Sequence, residues 1–514
     1  MNKKRRFGGI LLHPTSLPAN HGIGDFGEAA FNFVDYLHSC SIGLWQILPL
    51  GPVGYGNSPY AGRSAFAGNE LLISLELLAD EDLLEIADVL EKPPLKKNFV
   101  DYNSVANFKM PLLKKAALNF IEKNELQEFE DFCLAEKYWL DDYALFQSLC
   151  DHFNDTRWFK VWPKDLAKRE SNSLSHWTKE KEEEILIWKV YQFFFYRQWK
   201  ALKEYANKKQ IAIVGDIPIF VAHDSVDAWA NKDILKLKED GTLKVSSGVP
   251  PDAFSPTGQL WGNPLYDWDV MEKNGFRWWI ERLKHQFDQT DMVRIDHFRG
   301  FEAYWEVPAK EKTAENGKWV KAKGEKLFEK LHTVFETLPV IAEDLGVITP
   351  EVDALREKNN FPGMKIAHFS FDIAKDGLIN EHNAYLPHNY EHLCVAYTGT
   401  HDNDTTVSWY NSLPPNYKDI VRRYLSCADG DVPYLLMRSV MASCAQFAII
   451  PMQDVLLLDG RARMNLPGSC GEPNWCWRLE KEQLNKEAIE RLSELTRNFA
   501  RQSKLEDLKL LFKR

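Results

Sequence analysis

The chain has 514 residues, room for about three average domains or for one large α/β barrel carrying insertions. Apolar residues make up 45% and charged residues 27%, the balance of a folded chain with a sizeable core and not of a disordered one. A net charge of −11 argues against nucleic acid or an anionic membrane surface as partner, and no apolar run is long enough to span a bilayer.

The N-terminus, MNKKRRFGGILLHPTSLP, starts like an export signal. Its apolar part, Gly8 to Leu12, ends at His13 and Pro14 and is too short for one. From here on, short apolar runs recur, each closed by polar, Gly or Pro residues. They are GILLHPTS (9–16), LWQILPLGP (44–52), IAIVGDIP (211–218), MVRIDHF (292–298), VIAEDLG (340–346), MKIAHFSFD (364–372), CVAYTGTHD (394–402) and FAIIPMQD (447–454). Such runs, followed by helical stretches, predict buried parallel strands in βα units. Eight of them predict a (β/α)8 TIM barrel, with 1–514 as a single catalytic domain.

Uneven spacing between the runs locates insertions. About 150 residues separate the second run from the third, far more than one βα unit needs. The stretch from about 75 to 205 reads as an inserted, mainly helical subdomain, with helical patterns at 110–123, 135–150 and 181–207. Its aromatic stripes, as in YWLDDYALFQSL (138–149), are expected to be core. A second insertion spans about 223–290 and contains the Pro- and Gly-rich loop GVPPDAFSPTGQLWGNP (248–264). The tail, 479–514, reads as a helix packing on the barrel, without a separate C-terminal β-domain. The eight cysteines are scattered and form no C-x-x-C pair, so free thiols in a reducing cytoplasm are expected.

Acidic residues close several of these runs: Asp216 the third, Asp296 the fourth, Glu343 and Asp344 the fifth, Asp402 the seventh. In a barrel those ends share the C-terminal face, where barrel active sites sit. The chemistry that uses paired carboxyl groups there is glycosyl transfer. One carboxylate attacks the anomeric carbon and a second carboxyl group protonates the leaving oxygen, the two about 5–5.5 Å apart in retaining enzymes. Arg294, two residues before Asp296, projects to the same side of the strand and keeps that carboxylate ionised. Glu343 has to hold a proton at neutral pH, which calls for an apolar setting or a nearby negative charge. His401, Asp402 and Asp404 in THDNDT also suit a metal, but the stretch lacks the spacing of an established metal motif, and sugar hydroxyls are the favoured partner. No G-x-S-x-G elbow or P-loop is present, so a serine hydrolase or a nucleotide enzyme has no support.

These stretches resemble the amylomaltases, the 4-α-glucanotransferases of glycoside hydrolase family 77, relatives of the α-amylases. The resemblance is carried by GILLHPTSLP, LWQILPLGPVGYGNSPYAGRSAFAGN (44–69), GDIPIFVAHDSVDAW (215–229), GVPPDAFSPTGQLWGNPLYDW (248–268), RIDHFRGF (294–301), IAEDLG (341–346), FPGMKI (361–366), YTGTHDNDT (397–405) and ARMNLPG (462–468). It implies Asp296 as nucleophile, Glu343 as general acid/base and Asp402 as the carboxylate that binds sugar hydroxyls and favours the distorted ring. Arg294 and His401 resemble the groups holding nucleophile and sugar, and Tyr60 the tyrosine that stacks on the sugar being cleaved. Asp216, Gln259, Trp261 and Asn465 match positions lining donor and acceptor subsites. Phe254 matches a covering loop, and Tyr55 and Tyr102 match aromatics of a secondary glucan groove. One departure stands in SCGEPNWCWR (469–478), where Pro473 replaces an expected glycine and alters the local loop rather than the chemistry. AGRS (61–64) is also atypical and bears on a subsite.

The implied activity is transfer of an α-1,4-glucan segment to the 4-hydroxyl of another glucan or of glucose, by retaining double displacement and without cofactor or metal. The alternative is an α-glucan hydrolase using the same carboxylates. The Trp- and Pro-rich loop at 248–264 favours transfer, because a lid and aromatic acceptor sites exclude water. A non-catalytic glucan binder is disfavoured by the intact Asp296, Glu343 and Asp402. The expected partners are α-1,4-glucans and maltooligosaccharides, and the sequence does not specify an oligomeric state.

Overall fold

The computed structural model describes residues 5–90, 95–123, 126–251, 255–374 and 377–512. Among these described residues, twelve strands occur in chain order. They are β1 (Phe7–Leu11), β2 (Leu44–Gln46), β3 (Ala212–Pro218), β4 (Val245–Val249), β5 (Gln259–Leu260), β6 (Met292–Asp296), β7 (Ala303–Pro308), β8 (Lys318–Lys321), β9 (Val340–Ala342), β10 (Gly363–Ile366), β11 (Cys394–Tyr397) and β12 (Phe447–Pro451). Eight of them, one from each predicted run, form a parallel sheet in the order β10-β11-β12-β1-β2-β3-β6-β9.

This order is the chain order wrapped around a circle, and β12 pairs with β1. The sheet therefore curls into a nearly closed (β/α)8 barrel. The remaining seam lies between β9 and β10. There the Ala342 N–H donates to the Pro362 carbonyl at 3.0 Å, and the Met364 N–H donates to Asp344 Oδ1 at 2.7 Å. Gly363 permits this stitch, because a Cβ at that position would lie 2.2 Å from Asp344 Oδ2. The strands consist mostly of apolar residues buried on both faces, such as FAIIP in β12 and Met292, Val293 and Ile295 in β6. That accounts for their continuous apolar reading, which alternation on a half-exposed sheet would have broken.

The helical patterns become helices Tyr102–Lys123, Lys137–Phe153 and Glu182–Lys208. The last is 27 residues long and begins with Glu182, Glu183 and Glu184, which suit the positive end of the helix dipole. Its buried face, including Trp188, Phe194 and Trp199, packs on Lys137–Phe153 and on the barrel helix Glu28–Ser39 before the chain enters β3. The aromatic stripes are core, as expected, and belong to the same continuous hydrophobic cluster as the barrel strands.

Two features depart from the sequence reading. An antiparallel sheet, β5-β4-β7-β8, draws β7 and β8 from 303–321, beyond the 223–290 insertion. The tail forms two helices, Lys486–Asn498 and Leu505–Phe512, and not one. Between them the buried Arg501 donates to the carbonyls of Phe7, Met441, Ser443 and Ala445 and so closes the bottom of the barrel. Among the described residues, no helix is long and apolar enough to cross a membrane.

Candidate active site

Parallel strands place their C-terminal ends on one rim, and the acidic residues converge there. Asp216 lies in β3 opposite Arg294 in β6, and Asp296 is the last residue of β6. Glu343 follows β9 directly. His401 and Asp402 lie in the loop after β11.

Arg294 is the hub. Its Nη1 donates to both oxygens of Asp216, at 2.9 and 2.7 Å, and its Nη2 donates to Asp296 Oδ1 at 2.7 Å. Arg294 is buried, which by itself disfavours its charge, but Asp216 and Asp296 raise its pKa well above the ordinary value. Burial pushes Asp216 up to about 7 against the pull of the guanidinium. The arginine thus fixes Asp296 in position and sets a positive charge beside it.

Glu343 has the opposite environment. Burial, and next the charge of Asp296, push its pKa from 4.5 up to about 8. Its Oε2 accepts the His297 N–H at 2.7 Å and its Oε1 the Leu345 N–H at 2.9 Å. These two bonds favour the charged form and only partly offset the burial. One carboxylate held by a guanidinium and one carboxyl group pushed toward its neutral form make an asymmetric pair, the division of labour that acid-assisted displacement requires.

The third carboxylate is held from a different direction. Asn465 Nδ2 donates to Asp402 Oδ1 at 2.6 Å, and Arg463 Nη2 donates to the Asp402 carbonyl at 2.8 Å. His401 Nε2 lies 3.4 Å from Asp402 Oδ2. Burial lowers the His401 pKa and keeps the ring neutral, able to hydrogen-bond a hydroxyl. Tyr60 donates its hydroxyl to Asp216 Oδ2 at 2.8 Å, and its ring stacks on His401 with centroids 5.1 Å apart and planes 16° apart. Asp404 accepts from Ser408 Oγ and from the Thr405 N–H, so it is committed to its own loop.

Gln259 and Trp261 reach the same rim from the small sheet. The Trp261 ring, 38% exposed, stands edge-on to His297 with centroids 4.8 Å apart, and its Nε1 donates to Gln259 Oε1 at 3.2 Å. His297 itself adopts a left-handed backbone, φ 54°. Phe254 lies outside the described residues. Tyr55 is 82% exposed. Tyr102, the other residue expected at a secondary groove, is largely buried and donates its hydroxyl to the Trp475 carbonyl at 3.0 Å.

Three neighbours of the site were not singled out from sequence: Arg463, His297 and Trp475. Trp475 lies 5.8 Å from the Tyr60 ring and 5.9 Å from the His401 ring. It gets there despite Pro473, because the Trp475 N–H donates to the Met464 carbonyl and Asn474 Oδ1 accepts the Leu466 N–H. Arg463 and Asn465 lie in ARMNLPG, so the motif marked the stretch but not the contact of Arg463 with the Asp402 backbone. Among the described residues, one group has the proximity of metal ligands, His21, Asp25 and Glu76; Lys109 Nζ is already 3.5 Å from Asp25 Oδ2.

Comparison with known proteins agrees with this geometry. The family model described as 4-alpha-glucanotransferase matches residues 12–484. The 4-alpha-glucanotransferase of Synechocystis sp. is 48% identical over 504 residues, covering 97% of this chain and 98% of that protein. That of Thermus thermophilus is 48% identical over 503 residues, covering 96% of this chain and 98% of that protein. Among solved structures, the amylomaltase from Streptococcus agalactiae, in complex with acarbose, superposes with a TM-score of 0.93 at 38% identity, covering 97% of this chain and all of that one (100%).

Proposed function

The chain belongs to the 4-alpha-glucanotransferases of glycoside hydrolase family 77, and from that premise we propose how its residues divide the reaction. An α-1,4-glucan lies across the rim of the barrel. Asp296 attacks C1 of the sugar at the cleavage point while Glu343 gives its proton to the glycosidic oxygen. The C1–O bond breaks, the shortened glucan leaves with a new 4-hydroxyl, and a β-linked glycosyl ester forms on Asp296. The 4-hydroxyl of a second glucan, or of glucose, then enters. Glu343 takes its proton, the oxygen attacks C1, Asp296 leaves, and the α-1,4 bond re-forms.

Arg294 aims Asp296 and places a positive charge beside it. Asp402, braced by Asn465, receives hydroxyls of the reacting sugar. Tyr60 and His401 form its floor, and Gln259 and Trp261 line the neighbouring subsites. The observation that carries this reading is the contrast between the two carboxyl groups: Asp296 is paired with a guanidinium at 2.7 Å, while burial and the charge of Asp296 push Glu343 up to about 8. The expected substrates are α-1,4-glucans and maltooligosaccharides. A cytoplasmic location fits the eight free cysteines, since reducing compartments keep thiols unpaired.

The test is to incubate the pure protein with maltotriose, without added metal, and to follow both the oligosaccharide ladder and total reducing ends. Transfer gives longer glucans plus glucose at constant reducing ends. Rising reducing ends with only shorter products overturn transfer in favour of hydrolysis. Asp296→Asn and Glu343→Gln are expected to remove nearly all turnover while the protein stays folded, and a fully active variant of either kind overturns the assignment of roles.

A further inference from the structure

Two exposed tryptophans flank the turn that follows Asp296. Trp261, on the loop after β5, stands against His297. On the other side, Trp319 in β8 lies over the Arg299 guanidinium, 3.7 Å from its carbon to the ring centroid, and the indole remains 39% exposed. Arg299 is itself buried, and its Nη1 donates to the carbonyl of Val347, in the loop that follows Glu343. Trp319 is thus one contact from the turn after Asp296 and two from the loop after Glu343. Val347 is 64% exposed beside this clamp.

The small sheet explains why Trp319 is held there. In register, Leu260 opposes Gly248, Gly248 opposes Trp305, and Trp305 opposes Trp319. Residues directly opposite on antiparallel strands share a face, so Leu260, Trp305 and Trp319 form one row. At roughly 4.8 Å per strand the row crosses about 14 Å, the reach of a few sugar units. Its middle is fixed: Trp305 Nε1 donates to the Ala314 carbonyl at 2.8 Å, and the Trp305 and Trp319 rings meet edge to face at 5.2 Å. An exposed indole on the outermost strand of a small sheet is expensive to leave in water and is usually masked by charge. Here the adjacent Lys318 and Lys321 flank it without covering it.

We propose that Trp319, backed by Arg299, is an outer glucan-binding subsite that holds a glucose unit of a long chain beyond the Trp261 position. The occupant is an α-1,4-glucan because Trp261 and Trp319 both border the 297–299 turn that follows Asp296, Trp261 through His297 and Trp319 through Arg299. The apolar faces of glucose rings match a row of indoles better than they match a peptide or a lipid, since each ring pairs a flat C–H face with hydroxyls at its edge. Arg299 against Trp319 fixes the ring plane, and the indole keeps 39% of its surface exposed for a sugar. The inference rests on placing the reaction at Asp296 and Glu343.

The test compares chain lengths. In the Asp296→Asn background, where donor is not consumed, binding of maltotriose and of maltoheptaose is measured by calorimetry with and without Trp319→Ala. The expected result is a loss of about tenfold in affinity for maltoheptaose against less than about twofold for maltotriose, with partial recovery in Trp319→Phe. Equal losses for both sugars mean that Trp319 only props Arg299 and the catalytic loops, and no loss for either means that the ring is idle. Both results overturn the subsite. The underlying assignment fails separately, if Asp296→Asn alone still turns over maltotriose.

Discussion

The main-chain N–H of His297 donates to Glu343 Oε2 at 2.7 Å, so the residue next to Asp296 also holds the Glu343 carboxyl group. Asp296 and Glu343 are therefore positioned by one turn and cannot drift apart independently. Their charges are coupled as well, because the Asp296 carboxylate is the second cause, after burial, of the raised Glu343 pKa.

The first prediction concerns pH. In the proposed mechanism Glu343 serves the first half-reaction only while protonated, and burial together with the Asp296 charge raises its pKa to about 8. A raised carboxyl pKa keeps the acid form populated through neutrality, so kcat/KM for a maltooligosaccharide holds to about pH 8 and falls above it. The profile is measured with maltotriose from pH 5 to 10. An alkaline limb at 5 to 6 means that the burial described around Glu343 does not hold in solution.

Stability follows the same linkage. The folded state binds the Glu343 proton more tightly than the unfolded chain, whose ordinary value is 4.5. This group's contribution is fully present below 4.5 and is lost as pH rises through about 8. Glu343→Gln cannot ionise and escapes that loss. Its melting temperature relative to wild type should therefore climb between pH 5 and pH 9. A difference that stays flat across this range contradicts the raised pKa.

Arg294 bridges two carboxylates 2.7 Å from each, one of them fully buried. A lysine is a single point charge and cannot hold both in a fork. Arg294→Lys is expected to lower kcat by about 100-fold, as loss of an oriented electrostatic group in an active site does. Arg294→Ala leaves Asp216 buried without its partner and is expected to cost about 3–5 kcal/mol of stability. Activity assays and urea unfolding of both variants separate the two effects. Retention of kcat in Arg294→Lys removes the aiming role.

The barrel was legible because each buried parallel strand leaves a short apolar run in the sequence, and the strand ends then placed Asp216, Asp296, Glu343 and Asp402 on one rim. The small sheet was not. β5 has two residues and β8 reads KWVK, too short and too polar to stand out from loop. The Tyr60–His401–Trp475 stack was equally hidden, since its rings come from loops after β2, after β11 and near 475 that meet only in three dimensions. The burial of Tyr102 at the start of the 102–123 helix was likewise not legible, since its depth is set by tertiary packing and not by the local pattern.

Tyr60 allows its two roles to be told apart. The hydroxyl bonds Asp216 at 2.8 Å and the ring stacks on His401. Tyr60→Phe keeps the ring and leaves Asp216 with the Arg294 bonds, so kcat/KM should fall by about tenfold or less. Tyr60→Ala removes the floor of the subsite and should fall further, with KM carrying more of the change. If Tyr60→Phe is as damaging as Tyr60→Ala, the hydroxyl and not the ring is the functional part.

Asn465 is the brace of Asp402. Its amide donates to Oδ1 at 2.6 Å while its own N–H holds the His401 carbonyl at 3.0 Å. Asn465→Ala frees the Asp402 side chain to rotate but leaves its charge. Asn465→Asp goes further and sets a second carboxylate against the first. Loss of one such bond to a charged group is worth about 1.5–3 kcal/mol, so Asn465→Ala should lower kcat/KM by about 10- to 100-fold. Asn465→Asp should therefore be the more damaging of the two. The order of the two variants is the deciding readout. A brace that acts only by filling space would make the aspartate, nearly isosteric with asparagine, the milder change.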